Sequence, residues 1–290
     1  MLYTLKSSHM TVTINSRGAE LWSLMRDGNE YLWQGDPDYW SGRAPVLFPV
    51  CGRLYGGKYR YAGQEYCLPI HGFAKDSEFA VTAAEDALTC VLEADDATRA
   101  VYPFDFRLTV VYRLKNDRTL CVESTVTNTG KGELPFSLGA HPGFRVPLRE
   151  GERFEDCYLR FAGGTVLRRL VFSDTCFQTG ETADFPLIDG DLLLLRHDLF
   201  DRDAIFLENT GGRVLLNTKK HSREVSVRFG DFPYLGLWHR PHTDAPYLCI
   251  EPWAGLPSRD GTVDDLATKD AMLRLGTGEE KTLTYEVSLR

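Results

Sequence analysis

The sequence predicts an all-β protein. Short runs in which apolar and polar residues alternate, each bounded by turn residues, recur along most of the 290-residue chain. Alternation with a period of two is typical of strands that bury one face. Helical periodicity is scarce and strands do not alternate with helices, which excludes a doubly wound parallel sheet. Many short strands separated by turns predict an antiparallel sandwich or barrel.

Hairpins give the clearest strand pattern. Phe106–Leu114 and Thr119–Asn128 are alternating runs separated by four polar residues. Asp27-Gly28 supplies the positive φ angles that a tight turn needs, so a strand is predicted to follow at Tyr31–Trp33. Further strands are predicted at Thr11–Asn15, Tyr59–Tyr61, Glu65–Cys67, Phe79–Thr82, Leu88–Glu93, Tyr158–Phe161, Arg213–Thr218, Glu224–Phe229, Tyr234–Trp238, Tyr247–Glu251 and Thr282–Leu289.

Only two short helical turns are predicted. Asp36-Pro37 places an N-cap residue before a proline at the first helical position and opens a turn that ends at Trp40. Thr262–Asp265 is predicted to begin a second short helix. No linker, composition shift or internal repeat divides the chain, so we expect residues 1–290 to form a single domain.

Composition and charge exclude several classes of protein. Hydrophobic residues make up 43% of the chain and charged residues 26%, which is ordinary globular usage. The net charge is -8 and no stripe of Lys or Arg is present, which argues against a nucleic-acid partner. No segment is long and apolar enough to span a bilayer, so no membrane partner is expected either. The sequence does not predict an oligomeric state.

The seven cysteines indicate a reducing compartment. Their number is odd, no C-x-x-C occurs, and most lie in apolar or alternating stretches. Buried, reduced thiols that act as small hydrophobic side chains explain this pattern best. We therefore expect a cytoplasmic protein.

Known cofactor and metal motifs are absent. The chain contains no G-x-x-x-x-G-K-[ST], no H-E-x-x-H, no G-x-S-x-G and no complete G-x-G-x-x-G. Histidines and cysteines never occur together at metal-ligand spacing. We therefore expect neither a cofactor nor a metal site.

Four polar residues stand in apolar surroundings where an idle charge would be costly. Arg53 follows a long apolar run, and His71 and His141 each lie among Gly, Pro and aromatic residues after a strand. Glu251 ends an apolar strand immediately before Pro252, which cannot donate to a sheet ladder. The residues alone leave two roles open: structural hydrogen bonds and ion pairs, or proton transfer.

The chain resembles the aldose 1-epimerase family, and most closely its branch of short bacterial LacX-like proteins. Two motifs in this order are the most specific: Gly139-Ala140-His141-Pro142-Gly143-Phe144 and Ile250-Glu251-Pro252-Trp253. The resemblance implies a galactose-mutarotase-like supersandwich of antiparallel strands with a sugar cleft on its concave face. The segments that carry it, in order, are Pro37–Leu54, His71–Lys75, Gly139–Phe144, Asp203–Phe206, Ser222–Gly236 and Cys249–Gly255.

The same resemblance implies roles for individual residues. The family's acid histidine matches His141 and its base glutamate matches Glu251. Its second pocket histidine matches His71, and its arginine after the Phe-Pro segment matches Arg53. The aspartate that contacts sugar hydroxyls falls at Asp203, with Asp201 as the alternative, and Trp238 could stack on the apolar face of a sugar. Galactose mutarotases carry an aromatic residue where this chain has Gly143, so the sugar preference is not implied.

The implied activity is the interconversion of α and β anomers of an aldohexose, without redox group, metal or nucleotide. An acid–base pair of this kind predicts a bell-shaped pH profile, with the acidic limb assigned to the carboxylate and the alkaline limb to the imidazolium. A hexose-6-phosphate mutarotase is one alternative, with a phosphate pocket formed by residues such as Arg43, Lys75 or Arg240. A carbohydrate-binding or sensing protein without turnover is another.

Overall fold

The runs of alternating apolar residues fold into strands that recur from one end of this chain to the other. The computed structural model describes residues 1–164 and 166–290. Every ladder between two strands of the described residues is antiparallel. In chain order the strands are β1 (Leu2–Lys6), β2 (Met10–Asn15), β3 (Glu20–Arg26), β4 (Asn29–Glu30), β5 (Val46–Leu47), β6 (Lys58–Tyr61), β7 (Gln64–Cys67), β8 (Ala80–Ala83), β9 (Ala87–Glu93), β10 (Phe106–Asn116), β11 (Thr119–Asn128), β12 (Leu134–Phe136), β13 (Leu138–Ala140), β14 (Gly143–Arg145), β15 (Cys157–Phe161), β16 (Arg168–Phe172), β17 (Gln178–Asp184), β18 (Leu192–Leu194), β19 (Ile205–Glu208), β20 (Arg213–Thr218), β21 (Val225–Arg228), β22 (Tyr234–Trp238), β23 (Tyr247–Ala254), β24 (Leu273–Leu275) and β25 (Glu280–Leu289).

Two large sheets form most of the architecture. One has nine strands in the order β18-β15-β20-β21-β25-β11-β10-β9-β8. The other has the order β17-β16-β19-β22-β23-β13-β5, and β14 also pairs with β23. The strands β1 to β4 form a smaller sheet in sequence order, and β12-β24 and β6-β7 form two-stranded sheets. The prediction of an antiparallel β architecture is confirmed.

The core lies between the two large sheets, as the alternation along β23 shows. Leu248 and Ile250 of β23 belong to the same apolar cluster as Leu108 and Val126 of the nine-stranded sheet. Cys249, which points to the opposite face, belongs to a separate cluster. One face of β23 therefore packs in the core, and the other face is free to carry a site.

Strand β23 runs further than predicted, from Tyr247 to Ala254, and includes Pro252. Pro252 pairs with Leu235 of β22 on one side. On the other side β14 pairs with β23 only up to Cys249, and β13 pairs only from Trp253 onward. Pro252 lies at the gap between these two short strands, where no ladder partner requires its missing N–H.

Helical structure is short and lies where the sequence analysis did not predict it. The α-helix α1 (Asp96–Val101) is capped by Asp95, whose side chain accepts from the Thr98 N–H. Thr262–Asp265 is not helical and instead approaches β6 through a bridge to Arg60. Four 3-10 turns complete the helical content of the described residues: Tyr55–Gly57, Ala74–Asp76, Phe154–Asp156 and His197–Phe200. None of the helices within residues 1–164 and 166–290 has the length and apolar content needed to cross a bilayer.

The turn predicted at Asp27-Gly28 is present, with φ angles of 49° and 76°. The strand predicted at Tyr31–Trp33 is wrong, because only Leu32 forms a bridge, to Phe144. After the turn, β4 is limited to Asn29–Glu30 and the chain then crosses toward β14. The apolar character of residues 31–33 reflects burial in the core and not membership of a strand.

A buried hydrogen bond fastens the small sheet to the nine-stranded sheet. Tyr112 of β10 is almost completely buried, and its hydroxyl donates to the carbonyl oxygen of Ala19 over 2.6 Å. Ala19 lies in the turn between β2 and β3 of the small sheet, so this bond joins that turn to β10 of the nine-stranded sheet.

We expect Tyr112→Phe to lower the free energy of unfolding by about 1–3 kcal/mol, because it leaves a buried carbonyl without its donor. Tyr285→Phe is the matched control, since Tyr285 is also buried but its hydroxyl makes no hydrogen bond to the described residues. Urea denaturation of both variants measures the difference. Equal losses for the two variants would contradict the role given to this bond.

Candidate active site

The two residues predicted for proton transfer and the four predicted to contact the sugar all lie in the wall of one cleft. The cleft has a volume of about 860 Å³, within the range of small-molecule sites. It opens on the face of the eight-stranded sheet that points away from the core. The six residues are Arg53, His71, His141, Asp203, Trp238 and Glu251.

His141 and Glu251 form the centre of the cleft. Glu251 lies on β23, and His141 lies in the short connection between β13 and β14, beside the gap in the ladder. His141 Nε2 lies 3.2 Å from Glu251 Oε2. The two residues are only 7% and 1% exposed, so their contact is largely shielded from water.

Burial controls the protonation of this pair. It lowers the pKa of His141 from 6.5 to about 4. It also raises the pKa of Glu251 well above 4.5, and the nearby charge of Asp203 raises it further. Both shifts disfavour the charged forms. Burial therefore opposes charge on both members of the pair, and the short contact between Nε2 and Oε2 is the place where a proton can pass between them.

His71 lies edge-on to His141, with 5.4 Å between the ring centroids. The backbone N–H of Gly52 donates to His71 Nδ1 over 3.1 Å, so the ring hydrogen of the neutral form lies on Nε2. Burial, followed by the charge of His141, lowers the pKa of His71 well below 6.5. His71 is therefore a neutral ring in which Nδ1 is the acceptor and Nε2–H is the donor.

Arg53 and Asp203 form the polar end of the cleft. Arg53 Nη2 lies 3.4 Å from Asp203 Oδ2, and the thiol of Cys176 donates to the same oxygen over 2.9 Å. The backbone N–H of Ala204 donates to Oδ1 over 3.0 Å. Asp201, the alternative aspartate, lies outside the cleft wall and pairs with His242 at 3.2 Å.

Aromatic rings cover one side of His141. The ring of Trp238 lies 5.7 Å from the imidazole, and the ring of Trp40 lies closer, at 4.9 Å. The two indoles meet edge to face at 5.6 Å. The sequence places Trp40 only at the end of a turn that begins at Asp36. A backbone bond from Trp40 N–H to the Asp36 carbonyl confirms the turn, but nothing in the sequence indicated that it faces His141.

Only one of the three predicted phosphate ligands reaches the cleft. Arg43 donates to the Trp22 carbonyl over 2.7 Å, and Arg240 donates to the Tyr39 carbonyl over 2.9 Å. Neither of these two lines the cleft, whereas Lys75 does, in an ion pair with Asp76. Arg202, which no sequence pattern indicated, lines the cleft and has no ion-pair partner in the described part of the chain.

A third side chain with ligand chemistry approaches the central pair. One ligand atom each from His141, Cys249 and Glu251 lies within 4.8 Å of the other two. The sequence analysis found no metal-ligand spacing because His141 is more than a hundred residues away from the other two. This is the only such group among residues 1–164 and 166–290.

Comparison with known proteins gives one consistent result. A family model described as Aldose 1-epimerase matches residues 1–287. The plasmid-encoded protein LacX of Lactococcus lactis subsp. lactis is 33% identical, over 100% of this chain and 99% of LacX.

Two solved structures match just as completely. A galactose mutarotase related enzyme from Lactobacillus acidophilus is 33% identical with a TM-score of 0.95, covering 100% of this chain and 97% of that one. A galactose mutarotase-like protein from Lactobacillus casei ATCC 334 is 34% identical with a TM-score of 0.94, covering 100% of both chains. The predicted galactose-mutarotase-like fold is thereby confirmed.

The placement of His71 generates a prediction for its neighbour Gly72. Gly72 has a φ of +71°, and a Cβ there would lie 2.2 Å from the Phe48 carbonyl oxygen. Gly56 has a similar φ of +64° but open space around it. We expect Gly72→Ala to be less stable than Gly56→Ala by at least about 1–3 kcal/mol, because only Gly72→Ala adds a clash to the same backbone strain. Urea denaturation measures both, and equal stability would contradict this account of the loop.

Proposed function

Because this chain belongs to the aldose 1-epimerase family, we propose that it interconverts the α and β anomers of an aldohexose, with Glu251 as base and His141 as acid. The observation that supports this most directly is the buried His141–Glu251 pair at the centre of the cleft, with 3.2 Å between Nε2 and Oε2. Ring opening needs one group that takes the proton of the C1 hydroxyl and another that gives a proton to the ring oxygen, and both oxygens are bonded to C1. A protein that only bound sugar would need no such pair.

The reaction follows from the chemistry of the anomeric carbon. Glu251 removes the proton from the C1 hydroxyl, the bond between C1 and the ring oxygen breaks as C1=O forms, and the ring oxygen takes the proton from His141 Nε2. The open-chain aldehyde then turns about its C1–C2 bond. The ring hydroxyl adds to the other face of C1, returns its proton to His141, and the carbonyl oxygen recovers the proton from Glu251.

The short contact within the pair suits this chemistry. Moving the shared proton from Oε2 to Nε2 converts the resting pair into a carboxylate base and an imidazolium acid. Both reacting oxygens are bonded to C1, so groups that lie side by side can reach both. Asp203 and the rings of Trp40 and Trp238 favour the positive charge that develops on His141.

The remaining cleft residues are proposed to hold the sugar. The His71 Nε2–H and the Arg53 guanidinium would donate to sugar oxygens, and Asp203 would accept from sugar hydroxyls. Trp238, together with Trp40, offers an apolar surface for the C–H face of the ring.

None of these steps uses a redox group or a metal. All seven cysteines are free thiols, which supports a reducing cytoplasmic setting.

The identity of the sugar is tested by direct comparison. Lys75 and Arg202 on the cleft wall are the positions that would favour a 6-phosphate. Anomerisation of α-glucose, α-galactose and glucose 6-phosphate should be followed under identical conditions. If the protein binds sugars and moves no anomer above the spontaneous rate, it is a sugar-binding protein and the proposed activity is wrong.

Glu251→Gln keeps the shape of the side chain but cannot accept a proton, so kcat should fall by about 10²-fold or more while sugar binding survives. His141→Asn should do the same from the acid side. Because both groups act on one transition state, the double variant should lose far less than the product of the single losses. Polarimetry with each sugar measures these rates.

The matched control is Glu152→Gln, which alters another Glu–His pair whose side chains are largely covered, Glu152 with His221 at 3.0 Å. That pair lies outside the cleft wall, so the Glu152→Gln variant should anomerise sugars at a rate near that of the unmodified protein. If Glu251→Gln turns over every sugar as fast as Glu152→Gln, Glu251 is not the base.

The shifted pKa values reverse the pH assignment expected from the sequence. The imidazole, with a pKa of about 4, takes up the second proton of the pair as pH falls, so the acidic limb of kcat/KM should belong to His141. The carboxyl, with its raised pKa, loses the shared proton as pH rises and accounts for the alkaline limb. Activity should therefore persist to about pH 5. Histidine ring NMR, with His141→Asn to identify the resonance, should show His141 neutral at that pH, and protonation near 6.5 would contradict this order.

A further inference from the structure

The thiol of Cys249 lies beside the central pair and takes no part in the proposed anomerisation. Cys249 and Glu251 are two residues apart on β23, so their side chains point to the same face of the sheet. His141 reaches that face from the gap between β13 and β14, and the three ligand atoms lie within 4.8 Å of one another. All three residues are buried, and none of the proposed reaction steps involves the thiol.

The three donors are a set that zinc accepts. Catalytic-type zinc sites use three protein ligands from thiolate, imidazole and carboxylate, at about 2.0–2.3 Å from the ion, and leave one position open. The 3.2 Å between His141 Nε2 and Glu251 Oε2 suits two ligands of one such ion. A thiolate ligand favours Zn²⁺ or Cd²⁺ over Mg²⁺ or Ca²⁺.

A glycine lies opposite each of the two ligands on β23, so no side chain of the paired residue comes between the ligands and the neighbouring strand. Gly143 of β14 lies opposite Cys249, and Gly236 of β22 lies opposite Glu251. A Cβ at position 236 would already lie 3.2 Å from the Glu251 Cβ. Because His141 and Glu251 line the cleft, the open position of an ion would face the cleft.

The surroundings favour a reversible site over a permanently occupied one. A metal-bound histidine usually donates its second ring N–H to a carboxylate or carbonyl, which orients the ring. His141 Nδ1 is buried and has no hydrogen-bond partner among residues 1–164 and 166–290. The ligand set is therefore present without the supporting bond that a permanent metal site has.

We propose that His141, Cys249 and Glu251 form a binding site for a thiophilic divalent cation, Zn²⁺ or its analogue Cd²⁺, and that the cation and the sugar exclude each other. On binding, the thiol proton and the proton shared by His141 and Glu251 leave to solvent, so that a thiolate, a neutral imidazole and a carboxylate hold the ion. The same two residues then cannot transfer protons. The inhibition rests on the proposed function, whereas the binding does not.

Binding is tested by titrating the reduced, metal-free protein with Cd²⁺ and recording the ultraviolet charge-transfer absorption of cadmium thiolate. Compared with the unmodified protein, Cys249→Ala should lose one equivalent of this absorption. Cys67→Ala, which removes an exposed thiol, and Cys176→Ala, which removes a thiol of the cleft wall, should keep the Cys249-dependent equivalent. Cys249→Ser is the second variant if Cys249→Ala does not fold, because a hydroxyl keeps the shape but binds Cd²⁺ poorly. Equal absorption with and without Cys249 would overturn the site.

Competition is tested by anomerisation assays with and without Zn²⁺, each variant being compared with its own metal-free rate. Zinc should inhibit the unmodified protein, a chelator should restore it, and excess sugar should raise the zinc concentration needed. Removing the thiol ligand should weaken inhibition by at least about 10-fold, since even supporting residues of metal sites are worth 10–100-fold. Zinc inhibition that is equally strong without Cys249 would overturn the proposal.

The two arms separate the two proposals. Cadmium binding that depends on Cys249 in a protein that anomerises no sugar would leave the metal site standing and overturn the proposed function. Anomerisation that is unaffected by zinc, together with no Cys249-dependent absorption, would leave the function standing and overturn the metal site.

Discussion

Strand β23 packs against the core with one face and forms the floor of the cleft with the other. Leu248 and Ile250 join the main apolar cluster, whereas Cys249 and Glu251 point to the cleft side. All eight residues of the strand are buried, so its position is fixed from both sides. The site depends on this constraint, because a carboxylate can be held in place without water only on a strand that cannot shift its register.

Burying Glu251 would be costly if it stood alone. Breaking a buried pair by removing one partner typically costs about 3–5 kcal/mol, because the remaining charge has no compensation. His141 supplies the partner at 3.2 Å, and the cost falls further because burial shifts the pKa values of both groups toward their neutral forms. The same balance makes the proton easy to move from one group to the other. The electrostatic condition for stability and the condition for proton transfer are therefore met by the same contact.

Part of the backbone strain of this chain lies in the cleft wall. Three residues other than glycine have positive φ and line the cleft: His71 at 66°, Cys176 at 65° and Asp203 at 69°. Such conformations cost on the order of 1–3 kcal/mol each and persist only where other bonds hold them. Here the Gly52 N–H holds the His71 ring, while Cys176 and Ala204 hold the Asp203 carboxylate. The rest of the fold thus stabilises side-chain directions that the local sequence would not adopt alone.

The sequence by itself determined the antiparallel strands, since alternation of period two is a local property, and the resemblance pointed to the six residues that the fold brings into one cleft. It did not determine what depends on contacts between distant segments. Trp40 was assigned only to a turn, although its ring packs 4.9 Å from His141. The order of the two pKa values follows from burial, which no local pattern reports. From the sequence, Cys249 is one more buried thiol. The pairing of β14 with β23 brings His141 beside it, because only the tertiary fold decides which residues far apart in sequence become neighbours.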